Sequence, residues 1–249
     1  MKTIVPLKIV LAACAVALFA LCQQPKPVPG VCPAGELSVC NQEVSKRFRE
    51  MTDDVATRLS AFASEVAADQ LFSLRLLAEG NRSAPEVTAK AGQFMSPMGF
   101  SVLTILDSAS IIISSGDFPA STGNNALQKA SLLTPEPKII ADQILGKNVL
   151  TLQAKRTIKI VDSIPLYALG GMVVDDAFLA RLSPREGVVV LLKQGGAVIG
   201  MPDVKTISEV KDNKIVINDK EYGAFQLPLP FVGEGEPPVL IVLQKPSGV

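Results

Sequence analysis

The chain has 249 residues, 48% of them apolar and 19% charged. That is room for one or two domains with a sizeable core, and it excludes a disordered chain. Lys plus Arg and Asp plus Glu balance at 24 each, so there is neither a basic footprint for nucleic acid nor an acidic tail. Histidine is absent and aromatic residues make up only 5%. The commonest general base, the Ser-His and Cys-His pairs, the usual zinc and haem ligands and a phosphoacceptor histidine are therefore excluded, and base-stacking surfaces are disfavoured.

Residues 1–22 read as an export segment. Lys2 and Lys8 form a basic leader, and Ile9 to Cys22 is an uncharged run of 14 residues, short against the roughly 20 of a membrane-spanning helix. An uncleaved signal anchor, a cleaved signal peptide and a lipoprotein (LAAC, Leu11 to Cys14) all remain open. Each places the rest of the chain outside the cytoplasm, facing the periplasm or the extracellular side, with anchoring in the inner membrane as the leading case.

Residues 23–40 form a proline-rich spacer, opening QQPKPVPGVCP, which is semi-rigid and extended. Cys32 and Cys40 flank a short loop in it. An oxidising compartment allows a disulfide there, and two unpaired thiols are the alternative. The absence of a CxxC pattern speaks against metal or haem attachment.

Residues 41–96 hold a long helix and a second, shorter one. Val44, Phe48, Met51, Val55, Leu59, Phe62 and Val66 recur at steps of three or four, one face of a helix from about Asn41 to Ala78. Glu43 with Arg47, and Asp54 with Arg58, are four apart in the favourable order. Gly80-Asn81 caps the run. Such a helix either pairs with a copy of itself, giving a homodimer, or runs alongside two stacked domains. The shorter helix fits Pro85 to Phe94.

Strand signals follow. FSVLTILD (Phe100 to Asp107) and SIIISS (Ser110 to Ser115) are β-rich around a tight turn, and GDFPASTGNN is turn chemistry. Lys138 to Leu145 reads as helix-like. VLTLQAKRTIKI (Val149 to Ile160) alternates as a strand, with Leu150, Leu152, Ala154, Ile158 and Ile160 on one face. Arg156 falls on that face too, where a guanidinium needs a partner. Lys155 and Lys159 fall on the other face and are expected in solvent. Ile164 to Val174 is a further strand, and Asp175 and Asp176 cap the short helix DDAFLARL. From Gly187 onward the chain reads as an antiparallel sheet of about five strands, with turns at Gly195-Gly196 and Asn218-Asp219.

This order resembles the double Cache sensor regions of bacterial membrane receptors, two PAS-like domains stacked along one long N-terminal helix. The matching passages are LTILDSASIIISSGDFP (Leu103 to Pro119), IPLYALGGMVVDDAFLARL (Ile164 to Leu182), GVVVLLKQGGAVIG and KIVINDKEYGAFQLPLP. The resemblance runs from about Asn41 to Gln244. It implies an α+β fold, with a membrane-distal Cache-like unit over residues 97–182 and a membrane-proximal one over residues 183–246. The family continues into a second transmembrane helix and a cytoplasmic output module. This chain ends at VLQKPSGV, so the output domain is expected outside it, or the chain is a stand-alone exported sensor. An amino-acid-binding signature is not recognisable, and no ligand class carries over.

No GxSxG, HExxH, GxxxxGK[ST] or GxGxxG pattern is present. Ser208 to Lys211 fits SxxK without its companion motifs. The expectation is a non-enzyme with no cofactor or metal, binding an unknown small molecule and signalling through the long helix. The alternative is a structural or dimerisation module with no small ligand. Candidate ligand-binding residues are Arg156, for an anionic group, Tyr167, Ser114 and Ser115. Each has a plainer reading: for Arg156, exposure at a strand end or an ion pair with Asp107 or Asp162; for Tyr167, a rim or core tyrosine; for the serines, turn residues.

Overall fold

The computed structural model describes residues 37–161, 164–201, 203–204 and 206–244. The export segment, Cys32 and Asp162 lie outside the described residues.

Helix α1 spans Leu37–Ala68, 32 residues, or about 48 Å. Its buried stripe is Cys40, Val44, Met51, Val55, Leu59, Phe62, Ala63 and Val66, the spacing read from the sequence. Cys40 is buried within it and has no disulfide partner among the described residues. The stripe is consumed inside the chain: these residues form one core with Leu103, Ile105, Leu152, Ala154 and Ile158 of the first sheet and Val190, Leu240 and Val242 of the second. A pairing of two copies through this stripe is therefore not what it serves. Asp69 then interrupts the helix and caps α2 (Gln70–Ser73) by accepting from Phe72 N, and a π turn runs over Leu74–Ala78. The expected second helix is two short ones, α3 (Pro85–Thr88) and α4 (Lys90–Met95). Lys90 pairs with Asp69, tying them to the end of α1.

The first sheet contains β1 (Val102–Leu106), β2 (Ile112–Ser115), β3 (Lys138–Ile144), β4 (Lys147–Val161) and β5 (Ile164–Val173) in the order β2-β1-β5-β4-β3, paired antiparallel throughout. Helix α5 (Leu127–Leu132) precedes β3. The helix-like reading of Lys138 to Leu145 is corrected here, because that stretch is the edge strand β3. Ile139 and Ile140 are buried on opposite faces of it, so neither side shows the alternation of a half-exposed strand.

Helix α6 (Asp176–Leu182) is capped by Asp175, whose carboxylate accepts from Phe178 N. Asp176 accepts from Gly200 N at 2.9 Å and so clips α6 to the second sheet. That sheet contains β6 (Val188–Gln194), β7 (Ala197–Ile199), β8 (Lys214–Ile217), β9 (Lys220–Pro228) and β10 (Val239–Gln244) in the order β7-β6-β10-β9-β8. Asn218 and Asp219 both have positive φ, the tight hairpin turn that joins β8 to β9.

The two sheets are joined by more than α1. The loop after β9 adds a short parallel pairing to the free edge of β3: Ile139 N donates to Pro230 O at 2.8 Å and Val232 N to Ile139 O at 3.0 Å. Phe231 packs into the large core, and Val232 into a separate cluster on the outer face of the first sheet.

Candidate functional site

Strand pairing assigns every side chain of the first sheet to a face. Leu103, Ile105, Leu152, Ala154, Ile158, Leu166 and Ala168 face α1 and belong to its core. Arg156 lies opposite Ala168 and shares that face. Its Nε donates to Ser60 Oγ of α1 at 2.8 Å, and its Nη1 donates to the Pro135 carbonyl. The guanidinium thus has neutral oxygen partners within the chain. The alternative of an ion pair with Asp107 is not realised; Asp107 binds Arg82 at 2.7 Å.

The four candidate residues do not converge. Ser114 and Ser115 follow each other along β2 and point to opposite faces. Ser114 is fully buried, accepting from Ala91 N at 2.9 Å and donating to Thr88 O at 2.7 Å, which fastens α3 and α4 to the strand. Ser115 accepts from Phe118 N at 3.2 Å and closes the turn after β2. Tyr167 lies opposite Thr157 and Leu106 on the outer face, the side away from Arg156.

That outer face, where Lys155 and Lys159 are expected in solvent, holds a polar group. Thr151 and Gln153 are both 0% exposed. Gln153 Nε2 donates to Asp142 Oδ2 at 2.6 Å and to Thr151 Oγ1 at 2.7 Å. Asp142 also binds Lys129 of α5 at 2.5 Å and accepts from Gln143 N at 2.9 Å. Gln153 Oε1 is buried with no hydrogen-bond partner among the described residues. Turning the amide over would set an oxygen against the Asp142 carboxylate, so the orientation is fixed by its neighbours. Lys155 is not in solvent either: its Nζ donates to Ala130 O at 2.6 Å and lies 5.7 Å from the Tyr167 ring centroid. The apolar part of this face is Leu106, Ala130, Leu133, Ile140 and Leu169, with Tyr167 and Val232 packed against it.

Gly171 makes the group possible. It lies opposite Gln153, and a Cβ there would overlap the Leu152 carbonyl and come within 2.7 Å of Gln153 Cγ. The bare backbone leaves room for the glutamine to bend toward Asp142.

Beside the group opens a cleft of about 650 Å³, with Lys129, Leu132, Ile140 and Asp142 on one side and Val232 and Glu234 on the other. One wall belongs to the first sheet unit and the other to the loop of the second. Among the described residues no cluster of three or more Cys, Asp or Glu could hold a metal ion. No helix among them is long and apolar enough to cross a membrane.

No protein-family model matches the sequence, and no curated protein matches it. Solved structures do match in shape. The sensor domain of the histidine kinase DctB from Vibrio cholerae superposes with a TM-score of 0.55 at 10% identity, over 86% of this chain and 99% of that one. The periplasmic domain of LuxQ from Vibrio cholerae gives 0.56 at 13% identity, over 85% and 99%. The chain therefore has the double Cache fold of such periplasmic sensor domains: one long helix carrying two five-stranded antiparallel sheets.

Proposed function

We propose that this chain is the extracytoplasmic ligand-sensing module of a bacterial membrane receptor, not an enzyme, and that its small-molecule site is the cleft between α5, β3 and the loop after β9. The observation that carries this reading is the Asp142 carboxylate in the cleft lining, paired to Lys129 and held from behind by the fully buried Gln153–Thr151 pair, whose Gln153 Oε1 has no hydrogen-bond partner among the described residues. Buried polar groups are costly unless satisfied, and a few of them on an apolar wall are what a ligand pocket needs. Membrane anchoring through residues 1–22, homodimerisation and a cytoplasmic output module outside this chain belong to the same reading.

The long helix is the signal carrier in this proposal, because three arginines fix it to its surroundings. Arg58 of α1 donates to Met98 O at 2.6 Å and Gly99 O at 3.1 Å beside the first sheet. Arg47 of α1 donates to Ser183 O at 2.8 Å, just past α6. Arg156 reaches α1 from β4. A ligand drawing the loop of the second unit toward α5 changes the spacing of two bodies held by the same rod.

The structural or dimerisation module is favoured by one observation: Ala130 of α5 and Leu133 just after it fill the outer face of the first sheet. A thermal-shift screen against a broad metabolite library separates the two. A sensor is stabilised by RT ln(1+[L]/Kd), about 2.7 kcal/mol at a hundredfold excess over Kd, and Asp142→Asn removes that shift while Lys159→Ala keeps it. No shift with any compound would favour the structural module.

A further inference from the structure

Asp142 lines the cleft from the first unit and Glu234 from the loop of the second, and Lys129 is the cation between α5 and β3. Lys129 is already neutralised by Asp142, so the remaining formal charge at the lining is that of exposed Glu234. An anion entering there meets a carboxylate, with its only cation already paired. The Asp142 carboxylate, oriented by the Gln153 amide and the Gln143 N–H, is by contrast a seat that demonstrably takes a primary ammonium, because the Lys129 Nζ sits in it. The rest of the lining combines aliphatic Leu132, Ile140 and Val232 with the neutral amides Gln128, Gln143 and Asn148.

From this we infer that the cleft takes a linear aliphatic diamine, one ammonium replacing Lys129 at Asp142 and the other meeting Glu234, so that the ligand bridges the two units. Lys129 is the resident stand-in that keeps this half-buried carboxylate paired in the absence of ligand. Both ends of such a ligand are charged at neutral pH, as a lysine ammonium is, and each forms a charge-assisted contact. The methylene chain covers the apolar walls. This inference rests on the sensing reading of the same cleft.

The test is calorimetric titration and thermal shift of the full chain with 1,4-diaminobutane, n-butylamine and succinate. The diamine is expected to bind at least about tenfold more tightly than the monoamine, the loss that goes with one charge-assisted contact. Glu234→Gln, an exposed position with little influence on folding, should erase that advantage. Lys129→Met should tighten diamine binding, since the internal competitor is gone, and Asp142→Asn should abolish it with the far-ultraviolet spectrum unchanged. Equal binding of diamine and monoamine, indifference to both Glu234→Gln and Lys129→Met, or no diamine binding at all would overturn the inference. So would succinate binding that disappears in Lys129→Met. A library compound of another class whose shift is lost in Asp142→Asn would leave the sensing role intact and remove only the diamine. No shift from any compound would remove both.

Discussion

Arg156 Nε donates to the Ser60 hydroxyl at 2.8 Å, and that hydroxyl donates its own proton to Ala56 O at 2.9 Å. A strand of the first sheet is thereby hydrogen-bonded through a side chain into the backbone of the long helix. Arg156→Ala should cost about 1.5–3 kcal/mol, the range for hydrogen bonds to a charged group. Urea unfolding measures it, with exposed Lys159→Ala as the silent comparison. A ligand response lost in Arg156→Ala at unchanged stability would return the arginine to a binding role.

The two glycines in LGGMVV answer to different neighbours. A Cβ on Gly170 would meet Leu59 Cδ1 at 2.7 Å and Leu103 Cδ1 at 2.9 Å, the ends of flexible side chains. On Gly171 it would overlap the Leu152 carbonyl, which is backbone held in the sheet. Gly170→Ala should therefore cost about 1–2 kcal/mol, and Gly171→Ala at least about 3. Gly171→Ala should also release Gln153 from Asp142. Equal unfolding midpoints for the two variants would show that the strand moves aside for either methyl.

Much of the architecture was legible because it rests on local periodicity. The stripe from Val44 to Val66, the alternation in β4, the Asp175 cap and the Asn218-Asp219 turn each need only neighbours in the chain. The site was not legible. Thr151, Gln153 and Lys155 alternate with Leu152, Ala154 and Arg156, which is the pattern of a strand wet on one side. Parity separates the faces correctly but cannot say that α5 covers the polar one. That helix is only six residues long, with no side-chain cap, too short to announce itself. Asp142 was concealed by the reading of β3 as a helix, and its meeting with Lys129 and Gln153 depends on strand register. The reach of the β9–β10 loop to the edge of β3 spans about 90 residues of sequence and leaves no local signature.

The stripe on α1 gives an unambiguous outcome. Met51 is 7% exposed and Leu59 fully buried, both against the chain's own sheets. Leu59→Ala should lose about 2–5 kcal/mol. Met51→Glu, which forces a carboxylate into that core, should prevent cooperative folding, and Phe48→Glu at a half-buried position should be milder. Circular dichroism melts report this directly. A folded Met51→Glu protein that had lost only its self-association would show that the stripe serves a second copy.

Acid should weaken the protein through two carboxylates. Burial alone would raise the Asp107 pKa, but the Ile111 N–H, Arg82 and the Ala109 N–H together outweigh it and hold it below the ordinary value. Burial likewise pushes Asp69 up, and Lys90 with the Phe72 N–H brings it down on balance. A folded-state pKa below the unfolded one contributes stability that is complete above the unfolded value, roughly 3.9 for Asp. That contribution is lost as pH falls from there through the folded value. The denaturation midpoint should therefore be flat near neutrality and decline below about pH 5. Asp107→Asn keeps an acceptor for the turn but cannot titrate, so it should flatten part of that decline. Arg82→Ala should flatten it less, because the Arg82 side chain is 56% exposed and its charge is screened, whereas the Ile111 N–H remains. An acid limb unchanged in Asp107→Asn would place the titrating group elsewhere.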